Sequence, residues 1–351
     1  MSRYKLAVVI VYLSLFVGLS SIFTPIVHAQ SPFYQGKSVR IIRGGQAGDL
    51  YDGWARLIAS HWGKHIAGNP NIVVQNMPGA GSVIAANYVY GVAKPDGLTV
   101  GSLNPAIYMD QLIARKEVQF DWSKFNWIGT PEQTDFVFFM RGESPYKSIE
   151  DIRKAAEPPK CGSTGTGSPL YHIPKLMEET LGTKFNVVTG YQGAGDIDLA
   201  VERGEMHCRL ITVAAFSGRE PFLTWKKNGF VRPLVQTGRK RDPSLPDVAT
   251  FHELMDRYKT PEAGRRLATL ILAPSEFGRP MVTPPGLPGD RLKILRDSWD
   301  VTLKDPELLA EAKKRGWLVG PVAGEDLDSL AKEVIAQPAD IIARLKKLLG
   351  E

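Results

Sequence analysis

The sequence predicts open α/β sheets arranged as two lobes, and three observations carry that reading. Short apolar runs alternate with stretches of helical period along most of the chain. Glycine-rich segments stand where several of those runs hand over to helices. The 351 residues are too many for one comfortable sheet at about 150 residues per domain, yet no repeat or low-complexity linker divides them. A chain that crosses twice between two lobes reconciles these facts. The crossings are expected near 130–136, in "GTPEQTD", and near 238–250, in "GRKRDPSLPDVAT", both polar and rich in turn residues.

The first element reads as an address. Arg3 and Lys5 precede the apolar "LAVVIVYLSLFVGL", and "VHA" before Gln30 places Val27 and Ala29 as a signal peptidase requires. The expectation is a signal peptide over 1–29 and export to a periplasm, with a retained anchor as the competing reading. Next come the strand "SVRII", the helix "LYDGWARLIASHW", the strand "NIVVQ", the helix "SVIAANYVYGV", the turn "KPDG" and the strand "LTVGSL". "FVFFMR" reads as a strand, "SIEDIRKAA" as a helix opened by Ser148, and "FNVVT" as a strand. "GAGDIDLAVERG" reads as a helix, and "EMHCRLI" and "VRPLVQT" as strands. The C-terminal part is helical, in "GDRLKILRDSWDVTL", "PELLAEAKKRG", "GEDLDSLAKEVIAQ" and "PADIIARLKKLLG". The expected organisation is lobe 1 over 30–135, lobe 2 over 136–238, and the rest of lobe 1 with the C-terminal helices over 239–351.

Four glycine-rich connections express one physical idea: "GGQAGDLYDG" (44–53), "PGAGS" (78–82), "GSTGTGS" (162–168) and "GYQGAGD" (190–196). Each joins a strand's carboxyl end to a helix's amino end, where unpaired N–H groups and a partial positive charge await an anion. Glycine lets that anion approach the backbone. In open α/β sheets such loops crowd the crevice at the strand ends. Tight turns and close helix packing would explain any one loop equally well, but four together favour a ligand held from two sides.

Other chemistries fit poorly. "GAGSVI" and "GTGSPL" begin like a dinucleotide fingerprint but carry Ile84 and Leu170 where a small residue is required, and no phosphate loop exists. "CGSTG" has Cys161 in place of the first glycine of a nucleophile elbow. No catalytic residue and no cofactor is expected. His61 and His65 have ligand spacing, but Trp62 replaces the glutamate of a zinc helix, so they read as exposed histidines at a helix C-terminus rather than a metal site. The formal charge of +6 is a weak excess that suits anionic ligands and argues against a nucleic-acid partner. Cys161 and Cys208 would lie on neighbouring strands if "FNVVT" is the outer strand; a disulfide and two buried thiols both remain open. Asp52 reads either as an N-terminal charge complementing the helix dipole or as an acceptor for a ligand. His172 is either a donor to a ligand or a residue packed on its own helix. Pro169 suits a first helical position, whereas Pro174 should disturb the second turn.

Taken together, these segments resemble the periplasmic solute-binding receptors of tripartite tricarboxylate transporters, the Bug-type family. The residues that carry the likeness are "VRII" with Ala47, Gly48, Tyr51, Asp52, Ala55 and Arg56, then "VVQNMPGAGSVIAANYV", "AKPDGLTVG", "GSTGTGS" with His172, "GYQGAG", "LPDVATFHEL" and "VTPPGLPGDRLKILR". The resemblance implies a type II periplasmic-binding-protein fold, with two doubly wound lobes joined by two crossovers. It implies a non-enzymatic monomer that binds a small carboxylate and delivers it to membrane subunits, with an exported α/β enzyme acting on a small carboxylate and a ligand sensor for a signalling partner as the alternative readings. Carried over by position, the first lobe would contribute Gln46, Ala47, Gly48, Asp49, Tyr51, Asp52, Gly79, Ala80, Gly81, Ser82 and Asn104. The second would contribute Thr164, Gly165, Thr166, Gly167, Ser168, His172, Tyr191, Gly193 and Ala194. One departure stands out: Asp49 and Leu50 occupy positions where the family carries glycines, which puts the usual dicarboxylate preference in question.

Overall fold

The computed structural model describes residues 32–165 and 168–350. The signal-peptide reading, Thr166 and Gly167 therefore lie outside the described residues. Two sheets form. The first has six strands in the order β11-β4-β10-β3-β1-β2: β1 (Ser38–Arg43), β2 (Asn71–Asn76), β3 (Thr99–Ser102), β4 (Asn126–Thr130), β10 (Met281–Thr283) and β11 (Val322–Ala323). The second has five in the order β7-β6-β8-β5-β9: β5 (Phe136–Arg141), β6 (Lys160–Gly162), β7 (Asn186–Val188), β8 (Cys208–Thr212) and β9 (Val231–Gln236).

Each sheet has a parallel part that carries the glycine-rich loops. In the first, β1 pairs in parallel with β2 and β3, Ile42 facing Gln75 and Gly101. In the second, β6 pairs in parallel with β7 and β8. The inner strands β3 and β8 are buried runs, whereas the edge strands β2 and β7 are partly exposed. Helices Leu50–Trp62 and Gly289–Thr302 close one face of the first sheet, with Trp54, Ile58, Trp62 and Trp299 in that core. Phe139, Phe216 and Phe222 fill the outer face of the second. A third core runs between the sheets, joining Ile42 and Leu103 of the first to Phe138 and Leu210 of the second through helix Glu262–Phe277.

Most of the anticipated elements are present, and Ser148 caps its helix by accepting from the Asp151 amide at 3.2 Å. Cys161 and Cys208 are register partners on β6 and β8 and form a disulfide. Three expectations are corrected. The helix after "PGAGS" starts at Val83, preceded by a tight turn over Ala80–Ser82. Pro174 does not break its helix, which runs from Pro169 to Leu181 with Ser168 as its cap; a proline loses only one intrahelical bond where packing holds the rest. His61 is 9% exposed rather than a solvent-facing residue, because helix Pro306–Lys314 lies across it and brings Glu311 to 3.4 Å.

Candidate functional site

Three loops converge at the carboxyl ends of β1, β2 and β3. Parallel pairing forces this: Arg43 lies beside Asn76 and Ser102, so the chain leaves all three strands at one edge. The loops are then tied together. The Met77 amide donates to the Arg43 carbonyl at 2.8 Å and the Gly44 amide to that of Ser102 at 3.0 Å. The Asn104 amide donates to Ser82 Oγ at 3.1 Å, and Asn104 Nδ2 to the Gly81 carbonyl at 3.2 Å. Gly44 must lack a side chain, since a Cβ there would fall 1.8 Å from Ser82 Oγ.

The first loop is built around two aspartates. Asp49 caps helix Leu50–Trp62, accepting from the Asp52 amide at 2.7 Å, and its other oxygen pairs with Arg43 at 2.9 Å. Asp52 is 2% exposed and accepts from the Gly48 amide (2.8 Å), Arg56 Nε (2.8 Å) and Asn76 Nδ2 (2.9 Å). Burial pushes its pKa up, but the bonds from Arg56, Gly48 and Asn76 outweigh burial and bring it down to about 2. Asp52 thus pins the loop to its neighbour. Gln46, Ala47 and Gly48 are exposed. The Tyr51 ring lies 4.9 Å from the Arg43 guanidinium and 4.8 Å from that of Arg279. Burial raises the Tyr51 pKa, with the two arginines pulling the other way.

The second loop has an unusual backbone. Gly79, Ala80, Gly81 and Ser82 all have positive φ, at 138°, 44°, 62° and 97°. Two of these residues carry side chains that disfavour such angles, and strain of this kind persists where surroundings impose it. A Cβ on Gly81 would meet nothing within 4 Å. Among the described residues, the amides of Ala80 and Gly81 donate to no protein acceptor.

The second sheet repeats the arrangement. Beyond β6 the Ser163 amide donates to the Val188 carbonyl at 2.8 Å, and Ser163 Oγ closes a turn on Gly165. Thr164 is exposed, and Ser168 caps the following helix through the Leu170 amide. His172 lies one turn inside that helix, beside Tyr171. Beyond β7, Tyr191 packs against the outer apolar cluster while Gly193 caps helix Ala194–Glu202.

The two loop-bearing edges are joined by the crossings. β3 and β4 both run antiparallel to β10, so Thr130 ends β4 at the same edge as Arg43. On the other side Phe136 pairs with Thr212, at the carboxyl end of β8. Residues 131–135 therefore connect one loop-bearing edge to the other, and five residues reach at most about 18 Å. Arg279, 5% exposed, stands two residues before β10: its amide donates to Thr130 Oγ1 at 2.9 Å and its Nη1 to Thr134 Oγ1 at 3.0 Å. Sequence reasoning missed Arg43, Asn76 and Arg279. Only Arg43 left a local signal, a charge that closes the apolar run "VRII".

Two features lie elsewhere. His61, Asp305 and Glu307 place ligand-type atoms within 4.8 Å of one another, but the Lys64 ammonium already pairs with both carboxylates at 2.7 Å. A cavity of about 490 Å³ beside the crossings is lined by Gln133, Asp135, Arg239, Glu276 and Glu333 and includes none of the expected site residues.

Comparison with known proteins gives these features a lineage. The family described as tripartite tricarboxylate transporter family receptor matches residues 55–346. A UPF0065 protein of Cupriavidus necator is 27% identical over 231 residues, 64% of this chain and 67% of its own. A ligand-free TctC solute-binding protein from Polaromonas aligns over 90% of this chain and 99% of its own, with 18% identity and a TM-score of 0.69. MatC from Rhodopseudomonas palustris, solved with bound malate, aligns over 88% and 99% with 20% identity and a TM-score of 0.53. These structures share the two-lobed periplasmic-binding-protein fold, and the family consists of substrate-binding receptors rather than enzymes. Because the matched stretch covers every strand but β1 and every strand-end loop after the first, the chain belongs to the tripartite tricarboxylate transporter receptor family.

Proposed function

We propose that this chain is an exported, periplasmic receptor, acting as a monomer. It captures a small carboxylate between its lobes and delivers it to the membrane subunits of a tripartite tricarboxylate-type transporter. The observation that carries the reading is the strained run Gly79–Ser82, which presents free amides at a strand end with open space at Gly81. A carboxylate against the amides of Ala80 and Gly81 would complete that geometry. The matching loops of the second lobe, Thr164 to Ser168 and Tyr191 to Ala194, would close on the ligand's other end. Malate, the ligand of MatC, is the first compound to test.

The experiment is calorimetric titration of Gly81→Glu against malate and a series of aliphatic dicarboxylates. A hydrogen bond to a charged group contributes about 1.5–3 kcal/mol, so losing two is expected to weaken binding by about a hundredfold or more. The added carboxylate repels the ligand as well. Unchanged affinity in a well-folded Gly81→Glu protein would remove this loop from the site.

A further inference from the structure

Arg43 closes a buried strand with a permanent positive charge, and its side chain is more than nine-tenths buried. Three neighbours fix it. Nη2 donates to Asp49 Oδ2 at 2.9 Å, the Tyr51 ring covers one face at 4.9 Å, and Gly45 leaves the room it needs, since a Cβ there would fall 2.5–2.9 Å from the guanidinium. Its Nε and Nη1 atoms are buried and have no hydrogen-bond partner among the described residues. Unpaired charged donors inside a protein are costly, and natural structures leave them so where a function requires it. The strand end of Arg43 adjoins the Gly79–Ser82 run, through the bond from the Met77 amide and the contact of Gly44 with Ser82.

We infer that Arg43 is a specificity-determining binding residue whose unpaired Nη1 takes a carboxylate oxygen of the ligand while Asp49 holds Nη2. The inference rests on the receptor reading above and adds a charged partner to a site otherwise made of amides. A guanidinium N–H bonded to a carboxylate is charge-assisted, and the pair gains strength where water is excluded. Asp49 then has a second meaning. It is a carboxylate of the chain itself, 41% exposed, that competes with the ligand for the same cation.

The test is calorimetric titration of the full chain with malate, succinate, glutarate, adipate, acetate and benzoate, alongside melting curves without ligand. Arg43→Gln is expected to bind the best of these about tenfold to a hundredfold more weakly, with an unligated melting temperature no lower than the parent's. Asp49→Asn retains the helix cap, since asparagine caps as well as aspartate, and is expected to bind a few-fold more tightly. Affinity within threefold of the parent in a folded Arg43→Gln protein overturns the inference and leaves the receptor reading standing. Should Arg43→Gln fail to fold, Asp49→Asn decides, and unchanged or weaker binding there overturns it. If the parent chain binds none of the six compounds, the carboxylate reading itself falls.

Discussion

Asp52 gathers three donors from three parts of one lobe: a loop amide, a side chain one helical turn on, and the end of the next strand. Its folded pKa of about 2 lies below the ordinary 3.8, so the carboxylate contributes stability that is present above about pH 4 and is lost as pH falls toward 2. The shift corresponds to about 2 kcal/mol. Asp52→Asn keeps one acceptor oxygen and is expected to lower unfolding free energy at pH 7 by about that amount in urea titrations. Its stability curve should also be flatter between pH 4 and 2. An unchanged acid limb would show that the loop is held by something else. The sequence revealed part of this residue's role. The loop's ligand-ready composition was legible, whereas the pairing with Arg56, four positions along the helix, emerges only in the fold. Asn76 was not legible either, because its approach depends on the register of β1 against β2, which no local pattern encodes.

At the scale of elements, the alternation of periods located most strands and helices, and the strand order placed the cysteines. Treating "FNVVT" as the outer strand made β6 and β8 neighbours, and the Cα atoms of Cys161 and Cys208 lie 4.6 Å apart. The bond closes a separation of 47 residues in the sequence. Replacing both cysteines by serine is expected to cost about 2–4 kcal/mol, mainly by freeing the unfolded chain, and urea midpoints with and without reductant would measure it. Identical midpoints would mean that the bridge constrains nothing the fold has not already fixed. The elements missed by pattern reading share a cause. β4, "NWIGT", mixes a glycine and a tryptophan in five residues, and β10 is three residues between prolines. Helix Glu262–Phe277 carries Pro274 and no side-chain N-cap, so neither its start nor its end is signalled.

Over the whole molecule, the first crossing touches the end of the second sheet. Asp135, on that crossing, lies so close to Gly238 that a Cβ there would fall 2.7 Å from its Oδ2. Burial, with Glu276 and Asp242 nearby, raises the Asp135 pKa from 3.8 to about 6. A folded state that holds its proton more tightly than the unfolded chain is most stable below pH 3.8 with respect to this group, and loses that contribution as pH rises to about 6. Asp135→Asn is therefore expected to melt higher than the parent above pH 6, with the difference vanishing near pH 4. A constant difference across that range would assign the effect to packing. The order β11-β4-β10-β3-β1-β2 has one more consequence. Strand β10 lies between β3 and β4 but is reached only after the whole second sheet has been threaded. Until residues 281–283 arrive, β3 has a bare edge and β4, whose other partner β11 comes later still, pairs with nothing in the sheet. Such distant pairing makes folding slow and leaves those edges open to other chains meanwhile. The first sheet of the nascent polypeptide thus cannot close until residue 283 has been made, and a sheet not yet closed can still be threaded through a narrow pore.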